Sequence, residues 1–220
     1  MLQKFPRVTA VVGSGGKTSL LRALSERLPG TVILTTTTHI YPFTGMPVLL
    51  NPDVEELARA LTSSRVVCVG EPAEDGKLRG AKTLSVCELA AIADYVIVEA
   101  DGSKMLPLKA HAPWEPVVPE CSERCVLVVG ASGFGRPVNE AVHRPEIFCE
   151  LAGCEPTDVA TPEHVARVIA AERGVTRADT ILVNQADTPE LRSEAARLAS
   201  TLGEAVWAGS IRTWSFERMS

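Results

Sequence analysis

The stretch Val8-Thr9-Ala10-Val11-Val12-Gly13-Ser14-Gly15-Gly16-Lys17-Thr18-Ser19 constrains this chain more than any other. An apolar, β-branched run ends in a glycine cluster, then Lys-Thr, then Leu20-Leu21. That order predicts a buried strand, a phosphate-binding loop and a helix. Glycines let the loop turn its backbone N–H groups toward one point, and the helix adds its positive N-terminal end. Lys17 would reach the β- and γ-phosphates from a solvent-facing loop, and the Thr18 hydroxyl would ligate Mg²⁺. Gly13, Ser14, Gly15, Gly16, Lys17, Thr18 and Ser19 are therefore expected to bind a nucleoside triphosphate.

The longer form of this loop needs glycine where the chain has Val11, so only the shorter Gly-x-x-Gly-Lys-Thr of Gly13 to Thr18 is present. In that respect the loop resembles the shortened phosphate loops of the Mur ligases.

Apolar segments alternate with helical patterns along the chain. Residues 7–13, 31–37, 65–70, 95–98, 125–129, 180–183 and 206–208 read as strands, the last closing the series. Residues 16–28, 52–62, 83–93, 145–151 and 189–202 read as helices, and Thr161-Pro162 opens another as N-cap and first helical residue. Residues 71–82 read as a loop or small hairpin, and Pro107, Pro113, Pro116 and Pro119 exclude a long helix between 102 and 120. The expected fold is α/β and P-loop NTPase-like, with a mostly parallel central sheet and helices on both faces, in a single domain over residues 1–220. Ligands of such sheets bind beyond the carboxyl ends of the strands.

Two further strand ends carry chemistry. Tyr95-Val96-Ile97-Val98 runs into Glu99 and Asp101, two apart and so expected on one side of an extended strand. One carboxylate would help Thr18 hold Mg²⁺, a role assigned to Asp101, and the other would position a nucleophile; Lys17, Glu99 and Asp101 form the expected catalytic set. Asn184-Gln185-Ala186-Asp187 follows the 180–183 strand and resembles the Asn-Lys-x-Asp guanine-reading motif, with Gln185 in place of lysine. A carboxylate at Asp187 would accept from two guanine donors and repel the N1 acceptor of adenine. The structural alternative is a helix N-cap at Asp187 or Thr188. Thr37 and Thr38 after the second strand, and Lys104 and Lys109 after the carboxylates, are candidate substrate-binding groups.

Composition narrows the partners. Net charge is −5, so no global basic field recruits nucleic acid or an anionic membrane. No apolar run approaches a membrane span, and the amino-terminal residues through Arg7 lack a leader core, which points to the cytoplasm. The six cysteines contain no Cys-x-x-Cys pair and are expected to be reduced thiols without a ligand role.

The phosphate loop, Thr35–Thr38, Val98-Glu99-Ala100-Asp101-Gly102-Ser103-Lys104, Pro107-Leu108-Lys109-Ala110, Glu115-Pro116-Val117-Val118-Pro119 and Arg144-Pro145-Glu146-Ile147-Phe148 together resemble the YqeC family, the selenium-dependent hydroxylase accessory proteins of bacteria. The resemblance runs along most of the chain. It implies a P-loop NTPase-like fold and a role in maturing selenium-dependent molybdenum hydroxylases. The partners would be such a hydroxylase or its cofactor-handling proteins. The chain departs from the expected Gly-Leu-Asp-Ala-Leu-Gly segment, reading Gly130-Ala131-Ser132-Gly133-Phe134-Gly135. The leading expectation is an Mg²⁺-dependent NTPase using GTP or ATP. The alternatives are an ATP-dependent small-molecule kinase or ligase, and a nucleotide-sensing module without turnover.

Overall fold

The alternation of buried β-branched runs with capped helices gives an α/β architecture in which most strand pairs are parallel. The computed structural model describes residues 5–220; the reading of a missing leader core at Met1–Lys4 lies outside the described residues. The elements are β1 (Val8–Gly13), α1 (Lys17–Arg27), β2 (Val32–Thr36), β3 (His39–Ile40), β4 (Val48–Leu50), α2 (Val54–Ser63), β5 (Val66–Pro72), β6 (Leu78–Arg79), α3 (Val86–Ile92), β7 (Tyr95–Glu99), β8 (Leu108–Lys109), β9 (Arg124–Gly130), α4 (Val138–Ala141), β10 (Val142–His143), α5 (Pro145–Ala152), α6 (Pro162–Thr176), β11 (Thr180–Asn184), α7 (Pro189–Leu202), β12 (Val206–Ser210) and β13 (Ser215–Met219).

The chain divides into two interleaved units. The first comprises the residues through Val11, Leu20–Gly102 and Val117–Cys125. In it β1, β7, β2 and β5 pair in parallel, with Val8 against Val96 and Leu34 against both Ile97 and Cys68. β4 joins β5 in parallel, while β6 and β3 continue antiparallel. The β5–β6 pair is the hairpin that residues 71–82 allowed. Val8, Ile33, Val67, Val96 and Val98 form the buried floor on which Leu57 of α2 and Leu89 of α3 pack. Local chemistry sets the helix starts: the Asp53 carboxylate accepts from Glu56 N–H at 2.8 Å, and Ser85 with Glu88 forms a capping box.

The second unit comprises Val12–Ser19, Ser103–Pro116 and Val126–Ser220. There β9, β11 and β12 pair in parallel, and β8 pairs with β10. Thr161 caps α6 with Pro162 at its first turn, as the sequence predicts. The expected last strand at 206–208 is corrected: β12 is followed by β13, antiparallel to it. Trp214 holds φ +53 in the connecting turn, and its ring meets Phe216 edge-on at 5.3 Å.

The expectation of six reduced thiols is also corrected. Cys87 of α3 and Cys121 form a disulfide within the first unit. Cys68, Cys125, Cys149 and Cys154 form no disulfide. Packing of the 117–125 segment brings together cysteines separated by 34 positions, which spacing alone does not signal.

Candidate functional site

β1 ends at Gly13, and close backbone approaches and side-chain hydrogen bonds together hold the loop that follows. Gly13 has φ +92, and a Cβ there would lie 2.3 Å from the Val128 carbonyl oxygen. Gly15 has φ +80 and no room for a Cβ against the Gly130 backbone. Only glycine satisfies both the dihedral and the close approach. Ser14 N–H donates to Val128 O at 2.8 Å, and Ser14 Oγ donates to Pro107 O at 2.9 Å. The loop runs directly into α1, whose first residue is Lys17.

Lys17 is 3% exposed, which corrects the expected solvent-facing position. Its ammonium folds back over the loop, donating to Gly13 O at 2.6 Å and to Ser103 Oγ at 3.2 Å. A flexible four-carbon stem can pack along the loop while its head stays hydrogen-bonded.

Asn184, the last residue of β11, reaches the same loop. Its Nδ2 donates to Gly15 O at 2.7 Å, and its Oδ1 accepts from Ile211 N–H at 2.9 Å. The next residue, Gln185, holds φ +64, and its Oε1 accepts from Ser132 Oγ at 2.6 Å. Asp187 has a side chain 42% exposed, with an Arg212 Nη2 at 3.9 Å. Thr188, not Asp187, caps α7.

Sequence reasoning gave the Gly130–Gly133 segment no role, yet it closes around the loop. Gly130 N–H donates to Pro107 O at 2.9 Å, Gly130 abuts Gly15, and Ser132 engages Gln185. Its cue was only a second glycine-bearing strand end. A buried pair was also missed: Glu172 of α6 accepts from His111 N–H at 2.6 Å and lies 2.7 Å from His111 Nδ1. This pair, Lys109, Gly13 and Ser14 line a cavity of about 20 Å³, room for one water.

The segment after the carboxylates is built around charge. Leu106 N–H donates to Ser103 O at 3.0 Å, closing a turn whose central residues, Lys104 and Met105, both have positive φ. Those dihedrals are the signature of a type I′ turn, unusual for residues with side chains this large. Further on, the Glu115 carboxylate accepts from Lys109 Nζ at 3.1 Å and Arg144 Nη1 at 2.7 Å. Burial pushes the Glu115 carboxyl upward, but Arg144 and Lys109 outweigh it and hold it below the usual range. His143 beside them is pushed down to about 4, first by burial and then by Arg144, Lys109 and Lys104.

The first unit carries the other predicted residues. Glu99 closes β7 and Asp101 follows it; both are buried, Asp101 with 0% exposure. The Glu99 backbone carbonyl accepts from Thr36 Oγ1 at 2.7 Å and from Thr37 N–H at 3.1 Å. Thr37 Oγ1 donates to Val117 O at 2.8 Å, and Thr38 N–H donates to Thr36 Oγ1 at 2.9 Å. The threonine run therefore braces the end of β7. The second unit gathers Gly13–Ser19, Lys104, Lys109, Asn184, Gln185 and Asp187.

Among the described residues no helix is long and apolar enough to cross a membrane, and no group of three or more His, Cys, Asp or Glu forms a metal cluster. No solved structure matches the chain. The chain is 39% identical over 163 residues to the uncharacterized protein YqeC of Escherichia coli (strain K12). That stretch is 70% of this chain and 64% of the relative, so the chain spans slightly less than two thirds of the relative's length. The model of the YqeC protein family matches residues 9–146, from within β1 to the start of α5, so Asn184 and Asp187 lie beyond it. A match over more than half of the chain, joined to that level of identity, shows that the chain belongs to the YqeC family.

Proposed function

We propose that this protein is an Mg²⁺-dependent nucleotide-binding NTPase of P-loop type, using GTP in preference to ATP. We further propose that it acts in the cytoplasm as an accessory factor in maturing selenium-dependent molybdenum hydroxylases. The observation that carries the nucleotide reading is the Gly13–Thr18 loop, whose glycine dihedrals and contacts leave no room for side chains and whose lysine is the first residue of a helix. Such a loop aims backbone N–H groups and a helix N-terminus at one anion.

Lys17 and the loop amides would stabilise charge on the transferring phosphoryl group. The Thr18 hydroxyl and the Asp101 carboxylate are hard oxygen donors of the kind Mg²⁺ takes, with phosphate oxygens and water as its other ligands. When bound, the ion supplies charge neutralisation at the β- and γ-phosphates. Glu99 would orient the attacking water. Asp187, half-exposed, would accept from guanine N1–H and the exocyclic amine. The accessory role rests on family membership and on the motifs that carry the resemblance. A second reading, an ATP-dependent small-molecule kinase or ligase, is favoured by the cationic segment around Lys104 and Lys109.

The test is competition binding with GTP and ATP on wild type, Lys17→Ala and Asp187→Asn. Lys17→Ala should weaken triphosphate binding about tenfold or more and lower turnover by ~10²-fold. Asp187→Asn should erode the preference for GTP by roughly ten- to hundredfold, the equivalent of about 1–3 kcal/mol for unpaired donors. Equal affinity of wild type for ATP and GTP defeats the guanine assignment, and unchanged affinity in Lys17→Ala defeats the phosphate-loop assignment.

A further inference from the structure

The carboxyl end of α5 brings two thiols together. Gly153 ends the helix in the left-handed region, with φ +67 and ψ +50, and its N–H donates to Cys149 O at 2.8 Å. Cys154 N–H donates to the same carbonyl at 3.2 Å. That second bond closes a Schellman turn, in which the side chains of the two residues it joins meet. Here both are cysteine. Cys154 Sγ–H donates to Cys149 Sγ at 3.8 Å. Both side chains are half-buried, whereas Cys68 and Cys125 are buried. Arg167 of α6 donates to Ala152 O at 2.6 Å and so anchors the turn that carries the pair. A bond between the sulfurs is about 2.05 Å long, so the pair stands about 1.7 Å from covalent closure, a distance within reach of side-chain rotation.

We propose that Cys149 and Cys154 form a dithiol–disulfide couple that exchanges with small-molecule disulfides, Cys149 attacking and Cys154 resolving. The roles follow from where the proton sits. The Cys154 thiol is pushed up to about 11, first by burial, then by the hydrogen bond and charge of Cys149, then by the carboxylates of Asp158 and Glu155. Cys154 therefore keeps its proton and donates it, and a thiolate at Cys149 gains that hydrogen bond. The thiolate is the nucleophile in exchange. It attacks one sulfur of the small disulfide, whose S–S bond breaks and releases one thiolate, leaving a mixed disulfide on Cys149. The departing thiolate takes the proton from Cys154. Cys154 then attacks the Cys149 sulfur and expels the second small thiolate, which takes a proton from solvent. The two cysteines are oxidised by two electrons, and the small disulfide is reduced to two thiols. Both residues lie outside the 9–146 stretch that the family model matches, and the couple does not rest on the nucleotide reading.

The test uses the native full chain in buffers of reduced and oxidised glutathione, quenched with acid, alkylated and mapped by peptide mass. Wild type should lose two hydrogens and carry a Cys149–Cys154 link, while Cys68 and Cys125 stay unmodified. At about 0.1 mM glutathione the link should exceed the mixed disulfide about tenfold, because the neighbouring thiol acts at an effective concentration of about millimolar or more. Excess reduced glutathione should restore both thiols. Cys154→Ser keeps a hydroxyl donor beside Cys149 and should stop at a glutathione adduct on Cys149. Cys149→Ser should form an adduct on Cys154 about tenfold more slowly than Cys154→Ser forms its own. The wild-type map decides without relying on either variant to fold. A glutathione adduct that persists on wild type, a link from either cysteine to any other, or no reaction at all overturns the couple. Equal adduct rates in the two variants overturn the assignment of roles.

Discussion

Asn184 and Gly15 stand 169 positions apart in the sequence, yet the carboxamide of one donates to the carbonyl of the other at 2.7 Å. The same side chain accepts from Ile211 N–H, so one residue ties the glycine loop to the turn after β12. The asparagine is thus a strut for the loop itself. Asn184→Ala would leave both backbone groups without that partner and should lower stability by about 1–3 kcal/mol. Denaturant titration with the slope held constant measures it. A shift no larger than that of an exposed control, Arg212→Ala, would show that the strut carries no weight.

The carboxylates should separate binding from turnover. Asp101→Asn is isosteric at a buried position and should lower Mg²⁺-dependent turnover by ~10²-fold while nucleotide affinity changes less than about tenfold. Glu99→Gln should behave alike if Glu99 orients water. Steady-state rates alongside calorimetric affinities distinguish the two effects, and full turnover in both variants would confine this strand end to structure.

His143 makes stability depend on pH in a defined window. Its native value near 4 lies below the ordinary 6.5, so in that interval the unfolded chain takes up a proton that the folded chain refuses. This contribution is complete above about 6.5, is lost as pH falls toward 4, and is constant below. Glu115, held low, adds loss only under more acid conditions, as pH falls from the ordinary carboxylate range through its depressed native value. A His143 titration followed by NMR should give a midpoint near 4. In Arg144→Gln the midpoint should move upward, because one of the cations opposing protonation is gone.

The disulfide has two readouts. Thiol titration of the denatured, unreduced protein should find four reactive groups of the six cysteines. Cys87→Ser should lower stability by about 3–4 kcal/mol, the loop-closure entropy for a separation of 34 residues. Six reactive thiols would show that Cys87 and Cys121 remain unlinked.

Much of the fold was legible because it is written in local chemistry. The β-branched run before Gly13, Thr161-Pro162 and the 189–202 amphipathic pattern each carry their own structural reason. β13 escaped because its turn places Trp214 at positive φ, where a reader expects glycine or asparagine. The Cys87–Cys121 link and the Lys109–Glu115–Arg144 group depend on contacts across 34 and 29 positions respectively, for which no periodicity exists. The strand, glycine turn and helix around Gly13–Gly16 were legible, but the burial of Lys17 was not, since a lysine's environment is decided by partners such as Ser103.

The interleaving of the two units also orders events during synthesis. The glycine loop leaves the ribosome more than a hundred residues before Val128, and Asn184 and Ile211, which also support it, are made later still. Until β11 and the turn after β12 emerge, the nascent loop lacks those partners. The loop's supported shape is therefore acquired only once Ile211 has emerged, and a ribosome stalled before Asn184 would display the whole glycine motif without the support that shapes it.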